Sequence, residues 1–270
     1  MSPDCKTAEF KPSEPSVPFD VQAIPAFRDN YIWLLRRGQS AVVVDPGDAA
    51  PVEAVLEREG LRLEAILVTH HHADHQGGVA NLVGRWQPAV FGPGAESITG
   101  LTHPLSGGET IALPMLDTEA SVLHVPGHTL GHIAYVLPDC LFCGDTLFGA
   151  GCGRLFEGTP QQMVTSLAQL AALPDRTRVY CAHEYTQMNL RFALAVEPQN
   201  AAIAARVADA AALRDSGVPT VPSTLALEKA TNPFMRSHEP AVIAAARARG
   251  AIADDAVSVF ATIRGWRNEF

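Results

Sequence analysis

Four histidines and one aspartate fall within the seven residues Thr69-His70-His71-His72-Ala73-Asp74-His75, directly after the apolar run Ala65-Ile66-Leu67-Val68 and before Gln76-Gly77-Gly78. An apolar strand that empties into such a segment delivers several metal-ligating side chains to one point, because alternate residues of an extended chain project the same way. By that alternation His70, His72 and Asp74 face one site. His75 breaks the pattern and needs a turn to join them, which Gly77-Gly78 permits. The competing reading is a solvated loop that binds metal adventitiously. The buried-looking strand in front argues against it, as does a segment made of little besides imidazole and carboxylate.

A chain of 270 residues can bury a large core as one domain or two modest ones, and 47% hydrophobic with 18% charged residues is an ordinary globular balance. Twenty basic against 29 acidic residues give a formal charge of −9, which argues against a nucleic-acid surface spread over the molecule. The five cysteines, Cys5, Cys140, Cys143, Cys152 and Cys181, are scattered and odd in number, as in a reducing compartment. Cys140-Leu141-Phe142-Cys143 has C-x-x-C spacing but lies in an apolar strand-like run. The pair therefore reads as two core residues and not a redox couple. No run of 18 apolar residues occurs, and the Pro- and Ser-rich residues 1–18 match no secretory or transit signal. They are expected to be a flexible extension of a cytoplasmic protein with no membrane contact.

Strand-like runs at 21–24, 31–35 and 41–44 end at Asp45-Pro46-Gly47-Asp48, and a helix over Pro51–Glu59 closes at Gly60. After the histidine segment come a helix from Gly77 to about Val83 and strands near 89–91, 110–113, 121–125, 132–137 and 140–143. A helix over 160–173, capped by Thr159, and a strand at 178–181 follow. From Glu184 the texture changes to Ala-rich helical periodicity (190–196, 201–213, 241–248, 253–266) with no convincing strand. The expected organisation is residues 19–183 as a two-sheet domain with outer helices and 184–270 as an all-helical domain.

Three further strand ends carry ligand-type residues: Gly127-His128-Thr129, Gly144-Asp145-Thr146 and Ala182-His183-Glu184. Each alone is weak, since a lone histidine beside an apolar strand is more often a hydrogen-bonded structural residue. Four such strand ends in one half-chain are hard to assign to chance.

Together with Thr69–His75, these motifs resemble the metallo-β-lactamase superfamily. Within it the chain is similar to the glyoxalase II (hydroxyacylglutathione hydrolase) family through Pro25–Tyr31, Gly151–Gly158, Ala182–Thr186 and Ala230–Arg236. The resemblance spans nearly everything from about residue 21 onward. It implies an α+β fold, an αββα sandwich followed by a C-terminal all-helical domain, with two divalent metal ions between the sheets. By it His70, His72 and His128 hold one ion, Asp74, His75 and His183 the other, and Asp145 bridges them. The ions are expected to be zinc, with iron or manganese as alternatives for such donors. A hydroxide held between them attacks the carbonyl. His71 and His132 are left as supporting residues, and Glu184 either orients a ligand or is solvated.

The implied reaction is hydrolysis of S-D-lactoylglutathione to D-lactate and glutathione in methylglyoxal detoxification, by a monomer acting on a small glutathione thioester. Arg154, Arg264 and Arg267 stand where the family binds the glutathione part, with Tyr185 as a hydroxyl donor. Arginine replaces a common lysine at 154 and 267, and Phe156 replaces a common tyrosine, which removes one hydroxyl. Without the resemblance, Arg264 and Arg267 read as a solvated helix end. The alternative is a glutathione persulfide dioxygenase, which needs a single iron in the first site.

Overall fold

Period-two burial runs through the strand Asn30–Arg37, where Tyr31, Trp33 and Leu35 join one apolar cluster while Ile32 and Leu34 join another. A strand apolar on both faces must lie inside a layered structure, with something packed on each side. The computed structural model describes residues 18–270, so the expected extension over 1–18 lies outside the described residues apart from Pro18.

The first sheet is built in chain order from β1 (Asp20–Ala26), β2 (Asn30–Arg37), β3 (Ser40–Val44), β4 (Arg62–Leu67), β5 (Ala89–Pro93) and β6 (His103–Leu105). The first three pair antiparallel and the remainder parallel. The parallel crossovers carry α1 (Ala49–Glu59), α2 (Ala73–Gln76) and α3 (Val79–Trp86). Val52, Val55 and Leu56 of α1 and Val79 and Leu82 of α3 bury against the Ile32, Leu34, Val43 and Ile66 face. Each such side chain contributes about 1.5–3 kcal/mol on burial. Asp48 caps α1 by accepting the Ala50 N–H at 3.0 Å, and Gly60 ends it at φ 64.

The second sheet runs in the order β14-β13-β10-β9-β8-β7. Its members are β7 (Thr110–Leu113), β8 (Thr118–His124), β9 (Ile133–Leu137), β10 (Cys140–Gly144), β13 (Arg178–Cys181) and β14 (Ser223–Thr224). A small hairpin, β11 (Leu147–Phe148) with β12 (Gly151–Cys152), leaves the end of β10. Trp33, Leu35, Val42 and Leu67 of the first sheet share a core with Val122, Tyr135 and Leu141 of the second. On its other side, Met163, Leu167 and Leu170 of α4 (Pro160–Ala171) complete the αββα layering. Cys140 and Cys143 are both free and fully buried in this core.

Beyond β13 lie α5 (Thr186–Val196), α6 (Ala201–Asp215), α7 (Leu225–Thr231), α8 (Pro240–Ala248) and α9 (Ala256–Glu269). The expectation of an all-helical stretch after 184 needs one correction: β14 pairs antiparallel with β13 through Thr224 with Arg178 and Ser223 with Val179. Two residues are too short for alternation to register in a sequence. The same limit hides β11 and β12, also of two residues, and the three-residue β6. The helix expected from Gly77 to about Val83 is α3, shifted to Val79–Trp86, and a further short helix, α2, begins at Ala73 inside the histidine segment. Among the described residues no helix is long and apolar enough to cross a membrane.

Candidate metal centre

Strand β4 ends at Leu67, so the alternation expected to carry His70, His72 and Asp74 onto one face stops before those residues begin. His72 is the N-cap of α2, and Asp74 and His75 lie on that helix. The turn expected after His75 in fact precedes it, and it divides the segment between two groups.

In the first group, His72 Nδ1 lies 3.1 Å from His70 Nε2 and 3.0 Å from His128 Nε2. In the second, Asp74 Oδ2 lies 3.6 Å from His75 Nε2 and 3.5 Å from His183 Nε2. Asp145 stands between. Its Oδ1 is 3.3 Å from both His75 Nε2 and His183 Nε2, while its Oδ2 is 3.4 Å from His128 Nε2. The seven side chains come from four strand ends, as the sheets converge there.

The outer ring nitrogens are tied down, which decides what faces inward. His70 Nδ1 lies 3.0 Å from Thr69 Oγ1, which itself donates to Asp45 Oδ2 at 2.8 Å. His128 Nδ1 donates to the Arg154 carbonyl at 2.8 Å, His75 Nδ1 to Asp45 at 3.0 Å and His183 Nδ1 to Asp29 at 3.1 Å. Each of these four rings therefore turns its Nε2 toward the centre. His75 Nε2 and Asp145 Oδ1 are buried with no hydrogen-bond partner. Lone pairs gathered this closely, two of the atoms orphaned, fit a divalent cation and fit little else.

Burial, then the neighbouring imidazoles, hold His70 well below the usual histidine range, and burial likewise depresses His72, His128 and His132. For His75 burial acts the same way but is outweighed by the Asp145 and Asp45 carboxylates, which raise it well above. His183 is raised, against burial, chiefly by Asp145. Burial would lift Asp145, yet His75 and His183 hold it well below the carboxylate range. In metal-stripped protein the depressed imidazoles stay neutral when folded but protonate near pH 6.5 when unfolded, so stability falls as pH drops below about 6.5. The raised pair is protonated when folded and neutral when unfolded above about 6.5, so its contribution fades as pH rises through the folded values. Chelator-treated protein is expected to melt highest near pH 6.5 and lower on both sides. A melting temperature that climbs steadily from pH 5 to 8 would refute this balance.

His132 supports the site from outside it: its Nε2 accepts the Asp145 N–H at 3.2 Å, and its ring stacks on His70 at 4.6 Å. Gly144, at φ 47, lets β10 turn beneath Thr69 and His132, where a Cβ would collide with both. His71 faces away and pairs with Glu157 at 2.8 Å. With Glu96, which accepts from the His71, Gly131 and Thr129 groups, it braces three loops. The Glu184 carboxylate neither is solvated nor orients a ligand, since it accepts from the Tyr31 hydroxyl and from Thr220.

Arg154, Tyr185, Arg264 and Arg267 line one cavity of about 240 Å³ with Phe148 and Asn189. Arg264 donates to the Cys152 carbonyl at 3.1 Å and to Asn268 at 2.9 Å, and its Nε is buried without a partner. Arg264 is thus no solvated helix end. Arg267 reaches Asn189 at 3.3 Å, and burial, then Arg264, lowers its pKa. Two guanidiniums held together in a half-buried wall suit an anionic ligand. Tyr185 stacks on His183 with ring centroids 4.7 Å apart, which joins the cavity to the metal cluster. Phe156 is outside this cavity, 61% exposed, with its ring edge-on to His72 and His128 at 5.5 and 5.3 Å. A larger cavity of about 740 Å³, lined by Phe27, Arg28 and Arg214 among others, contains none of the imidazoles.

Asp45, Asp29, Asn30 and Thr69 were not among the residues expected at the site. Asp45 had a legible signal, a carboxylate at the end of an apolar strand one crossover before the histidines. Asp29 and Asn30 sit in a turn whose partners are about 154 and 44 residues away along the chain.

The family described as metallo-β-lactamase superfamily matches residues 26–183, and that described as hydroxyacylglutathione hydrolase C-terminus matches residues 184–270. A protein of Dechloromonas aromatica named hydroxyacylglutathione hydrolase is 62% identical over 265 residues, covering 93% of this chain and 99% of the relative. One of the same name from Methylobacillus flagellatus is 56% identical over 252 residues, covering 93% of this chain and all of the relative (100%). Among solved structures, ETHE1 from Myxococcus xanthus superposes with a TM-score of 0.60 at 26% identity, covering 80% of this chain and 84% of that one.

Proposed function

This chain belongs to the hydroxyacylglutathione hydrolase family of the metallo-β-lactamase superfamily, and on that premise we propose that it hydrolyses the thioester of S-D-lactoylglutathione and other S-2-hydroxyacylglutathiones. The products are the 2-hydroxy acid and glutathione. The observation that carries this reading is Asp145, with one carboxylate oxygen beside each group of imidazoles. His70, His72 and His128 would hold one divalent ion and Asp74, His75 and His183 a second, with Asp145 available to both. The donor set accepts zinc first, with iron or manganese compatible. Such a pair, when bound, supplies Lewis acidity to the thioester carbonyl and brings the pKa of water toward neutrality.

The remaining work falls to the chain itself. Arg154, Arg264 and Arg267 bind the tripeptide carboxylates, and the Tyr185 hydroxyl adds a donor beside them. Phe156 walls the approach to His72 and His128, aligning the acyl carbon without a hydroxyl of its own. A thiolate leaves readily, so no strong general acid is required, and none is needed among these residues. In this division of labour residues 19–183 carry the metal ligands and Arg154, whereas 184–270 supply Tyr185, Arg264 and Arg267. The enzyme acts as a cytoplasmic monomer in methylglyoxal detoxification, a reading in keeping with four free, buried cysteines among the described residues.

Release of free thiol from S-D-lactoylglutathione tests the proposal. Turnover is expected in metal-loaded protein and is expected to vanish with chelator and return with zinc. Loss of one charge-assisted contact in Arg267→Ala should raise KM about 10–100-fold while kcat stays within about threefold. Metal-loaded protein without chelator-sensitive turnover on any glutathione thioester would sink the proposal.

A further inference from the structure

The segment Arg28-Asp29-Asn30, the turn from β1 into the first residue of β2, lies far along the chain from β13, yet it touches the second group of ligands at two points. Asp29 Oδ1 lies 3.1 Å from His183 Nδ1, and Asn30 Nδ2 donates to Asp74 Oδ2 at 3.1 Å. The Asp74 oxygen so engaged is the one that faces the His75 and His183 rings.

We propose that Asp29 and Asn30 are positioning residues that set the strength of the second metal position independently of the first. This rests on the two-ion reading above. The carboxylate of Asp29 keeps hydrogen on His183 Nδ1, so Nε2 is the ring nitrogen turned inward, beside Asp74 and Asp145. The Asn30 amide selects which rotation of the Asp74 carboxylate is kept and leaves its oxygen aimed inward. The first position has separate supports, Thr69 behind His70 and the Arg154 carbonyl behind His128, and neither Asp29 nor Asn30 hydrogen-bonds to them.

The backbone holds the turn in place without those side chains. Tyr31 N–H donates to the Ala182 carbonyl at 2.7 Å and Glu184 N–H to the Asp29 carbonyl at 2.8 Å, with Asn30 and His183 forming a bridge between the sheets. Trp33 Nε1–H adds a bond to the Cys181 carbonyl at 3.0 Å. Truncating Asp29 or Asn30 therefore removes the orienting contacts and leaves the alignment of the turn intact.

The test is graded chelation of the zinc-loaded full chain, reading zinc ions retained per chain for the parent and for Asp29→Ala, Asn30→Ala and Asp29→Asn. The parent is expected to hold two ions. Each Ala variant is expected to hold the first as tightly as the parent and the second about 10–100-fold more weakly. Asp29→Asn still offers an oxygen to the His183 N–H and should recover most of that loss. Parallel weakening of both ions, an unchanged second ion, or an Asp29→Asn protein as weak as Asp29→Ala would each overturn the inference. A parent that binds only one ion would instead overturn the two-ion reading, and the inference with it.

Discussion

Asp145→Asn is expected to lower kcat/KM for glutathione thioesters by at least about 10³-fold, equivalent to roughly 4 kcal/mol of transition-state stabilisation. The reason lies in how few negative charges the centre holds. Among the described residues Asp74 and Asp145 are the carboxylates that face the Nε2 atoms of the imidazoles, and of the two Asp145 reaches both groups. An amide in its place carries no charge and offers one acceptor oxygen where two are used. One group would therefore lose a ligand, and the centre would have one carboxylate fewer to offset the charge of two divalent ions. Metal content measured alongside thiol release separates the causes, and zinc per chain is expected to fall with activity. A variant that keeps two ions and works within tenfold of the parent would remove Asp145 from the bridging role.

Glu228→Ala is expected to cost about 3–5 kcal/mol of stability, the usual result of leaving a buried charge without its partner. Glu228 is fully buried and gathers contacts from three parts of the chain. Its Oε1 accepts from Arg206 Nη2 and the Ser223 hydroxyl, each at 2.6 Å, while Oε2 accepts from the Ala150 N–H at 2.8 Å and Asn232 at 3.2 Å. The melting temperature should fall by about 6–20 °C for a chain of this size. Glu228→Gln keeps the acceptor toward Ala150 and should fall less. Because Ala150 sits in the β11–β12 hairpin that leads to Arg154, the Ala variant should also bind thioester more weakly. A melting shift under about 2 °C would show that Arg206 finds another partner or water.

Much of this architecture is written locally. Apolar runs mark the longer strands of both sheets, and each ligand-bearing segment follows one of them, because a strand end beside a polar cluster is a neighbour relation in the chain. Helices with caps are equally plain: Asp48 before α1 and Thr159 before α4 satisfy orphan N–H groups within four residues. The two-residue strand β14 is not legible this way, since its pairing with β13 depends on a contact across more than 40 residues.

For the site, chain order reveals which residue types can bind a metal and that they cluster at four strand ends. It also carries the motifs by which family membership is recognised. The rest follows from how the segments pack. Only the end of β4 at Leu67 and the start of α2 at Ala73 reveal that the histidine segment is split, since alternation holds only while the chain is extended. Only the packing of α9 against the β11–β12 hairpin turns Arg264 from a helix-end cation into a buried donor. And only tertiary contacts put Asp29, Asn30 and Asp45 behind the ligands, Asp29 across the seam between the sheets and Asn30 and Asp45 within the first sheet and its crossovers, because hydrogen bonds between distant segments leave no periodic trace in either one.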